Sequence, residues 1–263
     1  MKDLLQSWPD LEAAIRRASR VLLLADYDGT LTPIVGRPED AVLAAEVREK
    51  LRALATKPRF TIGVISGRAL SEIKAMVGIE GIYYAGNHGL EIGGPGLGYV
   101  NPVARAGAPL MKEISHQLSE KLSGIAGVII QDKVLSISVH YRLVKPQDEK
   151  TMVEIFRPIT SPLVGRGKIR VTSGKKVFEV RPPVDWDKGK AVEAIIEKLD
   201  SGLEEGPVIY LGDDSTDEDA FKVVRPPRGR SVFIGPPSAP SHADYFLPDV
   251  PAVEEFLGRL GLV

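Results

Sequence analysis

Cysteine is absent from the 263 residues, which removes disulfide frameworks, thiol nucleophiles and zinc–thiolate centres together and leaves the redox compartment unconstrained. Side-chain amides are scarce: asparagine occurs only at Asn87 and Asn101, and glutamine only at Gln6, Gln117, Gln131 and Gln147. Such depletion accompanies heat-adapted proteins, and a GC-rich genome produces the same bias. An excess of one charge is also missing, since 34 Lys and Arg face 35 Asp and Glu for a net charge of −1. That balance speaks against a nucleic-acid or membrane-surface partner. No apolar run approaches the ~20 residues a bilayer needs. Asp3, Asp10, Glu12, Arg16 and Arg17 break up the N-terminal stretch where a secretory signal would need an apolar run. The expectation is a cytoplasmic protein, with a monomer as the simplest state. What is present, 43% hydrophobic and 26% charged residues, is the composition of a globular chain, and the length allows one large domain or two small ones.

Short β-branched and aliphatic runs alternate with amphipathic stretches, which predicts an α/β fold with a largely parallel sheet. Buried strands are expected at 21–25, 60–65, 82–85, 208–211 and 231–234. Leu43, Val47, Leu51 and Leu54 fall at helical steps, as do Leu70, Ile73 and Val77. From about residue 105 to 182 the rhythm changes: a helix near 111–122 precedes paired runs at 127–131 and 134–142, and a helix near 149–156 precedes 169–172 and 177–180. This αββαββ order predicts an antiparallel sheet inserted into the parallel domain, so the core is expected over 1–104 and 183–263 and the insertion over 105–182. The glycines at 93, 94 and 96 and the prolines at 182 and 183 mark the expected crossings.

Four segments carry chemistry. Asp26-Tyr27-Asp28-Gly29-Thr30 follows the first buried strand, at the carboxyl end where open α/β sheets bind ligands, and its alternate carboxylates suit a hard cation. Two turn-capping aspartates are the plain alternative. Ser66-Gly67-Arg68 ends the second strand beside a helix start, a ready anion site that a simple N-cap also explains. Asp187-Lys188-Gly189-Lys190 opens a later helix with a lysine in its first turn, where the dipole disfavours it unless an anion lies nearby. The run from Asp213 to Asp219 packs five acids behind a buried strand and asks for a cation. It fails as a calcium loop, because Glu218 stands where Gly is needed and Val224 where Glu is needed. Asp217 to Asp219 suit a helix start, which leaves Asp213 and Asp214 as the expected metal neighbours. Nucleotide-binding loops and a G-x-S-x-G elbow are not found.

In sequence order, the two acids, the hydroxyl, the helix-start lysine and the late acidic pair resemble the haloacid dehalogenase (HAD) superfamily of phosphohydrolases across residues 21–221. The resemblance implies a Rossmann-like core with an inserted α+β cap. It also implies that Asp26 attacks phosphorus, that Asp28 serves as general acid and then base, and that Ser66 and Lys188 hold the phosphoryl oxygens. Mg²⁺ would sit among Asp26, Asp28, Asp213 and Asp214. Gly86-Asn87-His88-Gly89-Leu90-Glu91, Ser138-Val139-His140-Tyr141-Arg142 and Phe178-Glu179-Val180-Arg181-Pro182 are similar to trehalose-6-phosphate phosphatases. That likeness implies substrate contacts at Arg68, Asn87, His88 and Glu91 on the core, and at Arg142, Lys176 and Glu179 on the cap. The partner is then a small sugar phosphate. Sucrose phosphate or mannosyl-3-phosphoglycerate, a phospho-acceptor module without turnover, and a metal-dependent glycosyltransferase stand as alternatives.

The overall neutrality hides a split. Residues 105–182 carry 14 Lys and Arg against 7 Asp and Glu, and the remainder carries 20 against 28. A basic insertion suits an anionic substrate.

Overall fold

The computed structural model describes residues 1–199 and 206–263. It divides into two compact units, Met1–Tyr99 with Trp186–Val263, and Val100–Asp185.

The first unit begins with β1 (Lys2–Asp3), α1 (Trp8–Arg17), β2 (Val21–Ala25), α2 (Ala45–Ala55), β3 (Phe60–Ile65), α3 (Leu70–Val77), β4 (Tyr83–Gly86), β5 (Glu91–Gly94) and β6 (Leu97–Val100). In the second unit α4 (Pro102–Leu122), β7 (Ile129–Asp132), β8 (Ile137–His140), α5 (Pro146–Gly165), β9 (Arg170–Gly174) and β10 (Val177–Arg181) follow. The chain then returns to the first unit with α6 (Lys188–Leu199), β11 (Val208–Gly212), α7 (Asp217–Val223), β12 (Gly229–Ile234), β13 (Tyr245–Leu247) and α8 (Val250–Gly261).

The sheet of the first unit runs β1-β13-β12-β11-β2-β3-β4-β5-β6. Its pairings are parallel from β1 through to β4, and β5 turns back antiparallel on β4. β2 shows why the strands read as unbroken apolar runs: all five of its residues are buried, because both faces are covered. Val21, Leu23 and Ala25 pack with Leu11 and Ile15 of α1, Val47 and Leu51 of α2, and Phe256 and Leu260 of α8. Leu22 and Leu24 point the other way, into Ala191 and Ile195 of α6 and Ala220 and Phe221 of α7. β2 lies between β3 and β11, so the chain leaves it to opposite sides, and the carboxyl ends of these three strands converge at a topological switch point.

The second unit has its own core, in which Met111, Ile114 and Leu118 of α4 and Met152 and Phe156 of α5 cover Ile137, Val139 and Val180 of an antiparallel sheet ordered β7-β8-β10-β9. The αββαββ order is therefore observed. Both helices outrun the expected limits. α4 starts at Pro102, capped by Asn101 Oδ1, which accepts from the N–H groups of Val103 and Ala104 at 3.0 and 3.1 Å. α5 passes through Pro158 and Pro162. The glycines near 93–96 build the β5–β6 hairpin, just before the first unit gives way to the second after Tyr99. A side chain at Gly94 would meet the Tyr83 ring at 2.4 Å, so the glycine reflects the close approach of β5 to β4.

Candidate active site

Asp26 leaves β2 with its N–H donating to the Leu211 carbonyl of β11 at 2.9 Å, which ties the first acidic segment to the last. Gly29 has φ +95°, and a side chain there would sit 2.4 Å from the Asp213 carboxylate, so both backbone and space demand glycine. Asp213 is thereby packed against the turn that carries Asp26 and Asp28.

Lys188 opens α6, whose N-cap is Asp187, with Oδ1 accepting from the Lys190 N–H at 2.9 Å. The anion that a first-turn lysine asks for is present twice: Lys188 Nζ donates to Asp26 Oδ1 and to Asp217 Oδ1, both at 2.8 Å, and all three side chains are buried. Asp217 also accepts from the Tyr210 hydroxyl at 2.6 Å on Oδ1, and from the N–H groups of Asp213 and Asp214 at 3.1 Å on Oδ2. Asp217 begins α7, as expected of it, yet it also lies inside the acidic site. The acidic group is thus wider than the Asp213 and Asp214 pair expected near a metal. The side chain reaches back over its own helix start, and a pattern of dipole-compatible acids cannot distinguish this from a solvated first turn.

The electrostatics follow from burial. Desolvation raises the Asp26 carboxyl well above the usual range, and Asp217, Asp213 and Asp214 add to the rise while Lys188 opposes it. Desolvation likewise pushes Asp217 up to about 6. For Lys188 burial pulls downward, and Asp217 and Asp26 outweigh it to keep the ammonium charged. Asp214 is held below its ordinary value despite burial, by the Lys188 charge and by Thr216, whose N–H and hydroxyl donate to Oδ1 at 2.8 and 2.7 Å.

Asp26, Asp213 and Asp217 bring carboxylate oxygens within 4.8 Å of one another, with a single ammonium among them. This excess of negative oxygen in a buried site fits a hard divalent cation such as Mg²⁺. Asp217 already accepts four hydrogen bonds, so Asp26 and Asp213 are the carboxylates best suited to the ion.

The second segment is laced to the chain at 85–91. The Ser66 N–H donates to the Ala85 carbonyl, His88 N–H to Ser66, and Asn87 N–H to Arg68. Asn87 and His88 both have left-handed φ, +51° and +55°. Asn87 Nδ2 donates to Glu91 Oε1 at 2.7 Å, and the His88 ring lies where a side chain on Gly67 would be. Ser66, Asn87, His88 and Glu91 thus share the ends of β3, β4 and β5. Arg68 clasps Asp28 instead of lying open: Nε donates to Oδ2 at 2.8 Å and Nη2 to Oδ1 at 2.7 Å.

In the second unit the expected residues sit on one hairpin and its neighbour. Lys176 Nζ pairs with both Glu149 oxygens at 2.7 Å and lies over the Tyr141 ring, and Arg142 donates to the Lys175 carbonyl. Glu179 Oε1 accepts from Ser138 at 2.6 Å and faces buried Lys133 at 3.4 Å. The sequence points to neither Tyr210 nor Lys133 as a site residue, and it marks Asp217 only as a helix start. The run of acids and the misplaced Lys188 were signals for Asp217; Lys133, in a turn between strands, left none.

A family model described as trehalose-phosphatase matches residues 24–251. Probable trehalose-phosphate phosphatase D of Arabidopsis thaliana is 36% identical over 259 residues, covering 94% of this chain and 69% of the relative. Trehalose-phosphate phosphatase B of the same plant is 34% identical over 255 residues, covering 93% and 67%. Among solved structures, the C-terminal domain of C. albicans trehalose-6-phosphate phosphatase superposes with a TM-score of 0.80 at 28% identity, covering 97% of each chain. A haloacid dehalogenase-like hydrolase from Bacteroides thetaiotaomicron, 18% identical, shares the fold at a TM-score of 0.62, over 92% of this chain and 99% of the other. With the acids, the lysine and the sheet ends disposed as described, and the match running through all of them, the chain belongs to the trehalose-phosphatase family of phosphoric monoester hydrolases.

Proposed function

We propose that the protein hydrolyses trehalose 6-phosphate to trehalose and inorganic phosphate, with Asp26 as nucleophile. The observation that carries the reading is the Lys188 ammonium shared at 2.8 Å between Asp26 and Asp217. It orients one Asp26 oxygen and leaves the third ammonium N–H for a phosphoryl oxygen. Family membership and the names of the relatives support the substrate.

Asp26 attacks phosphorus in line with the sugar oxygen, forming an aspartyl-phosphate as the P–O bond to the sugar breaks. Asp28 gives its proton to the departing oxygen. Water then attacks the phosphorus, Asp28 takes its proton, and phosphate leaves as Asp26 is regenerated. A carboxylate nucleophile divides the hydrolysis into two easier displacements. The Ser66 hydroxyl accepts from the Arg68 N–H at 3.2 Å and keeps its own proton for the phosphoryl group. Mg²⁺, held by Asp26 and Asp213 with Asp28 and Asp214 alongside, would neutralise charge on the transferring group. Asn87, His88, Glu91, Arg142, Lys176 and Glu179 are the proposed contacts to the sugar hydroxyls and phosphate, where ammonium, guanidinium and carboxylate groups match that chemistry.

The test is phosphate release from trehalose 6-phosphate, sucrose 6-phosphate, mannosyl-3-phosphoglycerate and glucose 6-phosphate, with Mg²⁺ and with a chelator. Trehalose 6-phosphate is expected to have the highest kcat/KM, activity is expected to vanish on chelation, and Asp26→Asn is expected to be inactive at unchanged thermal stability. Preference for another member of the panel, or full activity in Asp26→Asn, defeats the reading.

A further inference from the structure

Arg68 is buried, 5% exposed, with nearly every polar handle in use. Beyond the two bonds to Asp28, Nη2 also donates to the Pro38 carbonyl at 2.8 Å and Nη1 to Glu72 Oε1 at 2.5 Å. The guanidinium lies 5.6 Å from the centre of the Tyr27 ring, whose hydroxyl donates to the Ala41 carbonyl at 2.8 Å. Its main chain is held too, by Ser66 Oγ and the Asn87 N–H. A planar fork with its donors committed to two carboxylates and a carbonyl is poorly placed to bind substrate, but it fixes the rotation of the carboxylate it grips.

We infer that Arg68 is a positioning residue: it sets the carboxylate of Asp28 for proton transfer and ties it to the 37–41 turn through Pro38. Glu72, one helical turn into α3, anchors the other side of the guanidinium. This rests on the proposed role of Asp28 as the acid that protonates the leaving group. The turn at 37–41 and the acid are thereby one mechanical unit, so a shift of the turn moves Asp28.

The consequence is selective. A sugar alkoxide cannot leave without a proton, whereas p-nitrophenolate leaves readily unaided, so loss of acid positioning harms the first substrate far more than the second. Comparing kcat/KM, which covers the steps through the first displacement, isolates that effect. With Arg68→Met, kcat/KM on trehalose 6-phosphate is expected to fall by about 100-fold, and with Arg68→Lys, which keeps the charge but not the fork, by about tenfold. On p-nitrophenyl phosphate both variants are expected to stay within about threefold of wild type. Glu72→Ala, whose target is half-exposed, gives the same contrast at smaller size should Arg68→Met fail to fold. Equal losses on both substrates would show a merely structural role and overturn the inference, as would unchanged kcat/KM on the sugar phosphate. A higher KM at unchanged kcat, confined to sugar phosphates, would show that Arg68 touches substrate and also overturns it. If wild type ignores trehalose 6-phosphate but hydrolyses another sugar phosphate, only the substrate reading fails, and the contrast is measured on that ester. Hydrolysis of no phosphate ester at all overturns both.

Discussion

At Asp217 a single side chain does the work of a scaffold. Four donors converge on its two oxygens, two of them backbone N–H groups that shape the turn bearing Asp213 and Asp214. Its pKa of about 6 lies above the ordinary unfolded value of about 4. Between those values the folded state holds more protons than the unfolded one, so stability is expected to fall as pH rises from about 4 to about 6 in metal-free protein. Asp26 shifts in the same direction, and Asp214, held low, acts only below about 4 and in the opposite sense. Saturating Mg²⁺ offsets the loss by mass action, about 2.7 kcal/mol at 100 times the Kd. Urea unfolding between pH 4 and 7, with EDTA and with Mg²⁺, measures both. A flat metal-free profile would mean that Lys188 alone neutralises the site.

The elements that sequence reveals best are those whose burial is uniform. β2 and β3 are found at their full lengths because every position, or all but one, is apolar and covered. β5 and β6 escape notice because glycines there look like punctuation, while the actual cause is the Tyr83 ring beneath Gly94. α5 is cut short on paper at Pro158, since an interior proline removes an N–H and crowds the preceding turn. Pro158 and Pro162 are four residues apart on the exposed face, and Met152, Phe156 and Thr160 on the other face are buried, so packing of that face carries the helix through. α4 depends more on its first turn. Asn101→Ala removes the acceptor for two N–H groups and is expected to lower stability by about 1 to 2 kcal/mol, read from the shift in urea midpoint. A shift below about 0.3 kcal/mol would assign the start of α4 to Pro102 and core contacts instead. The site itself was legible at Asp26, Ser66, Lys188 and Asp213, all placed just past strand ends or at a helix start. Tyr210 was hidden because a buried tyrosine in a strand reads as core until its hydroxyl is seen to meet Asp217.

The whole molecule carries its charges unevenly. The unit of residues 100–185 has 14 Lys and Arg against 8 Asp and Glu, and the other residues have 20 against 27. A basic field raises the encounter rate with an anionic sugar phosphate and is screened by salt. Replacing Arg142 and Lys176 together by glutamine is expected to lower kcat/KM severalfold at low ionic strength and to flatten its dependence on salt, measured from 20 to 500 mM NaCl. Unchanged kcat/KM at every salt concentration would leave those two charges to Glu149 and the Lys175 carbonyl, their partners within the same unit.

The parallel pairing of β2 with β11 also governs when the molecule can work. Lys188 and Asp26 are 162 positions apart, and the acids past β11 come later still. A ribosome must therefore deliver most of the chain before any of these groups can meet. The antiparallel unit between them pairs only strands within residues 129–181 and is finished earlier, while β2, β3 and β4 wait with an unfilled edge at β2. That edge has no partner until β11 is made, so the groups past β2 and β11 are the last of the site to come together.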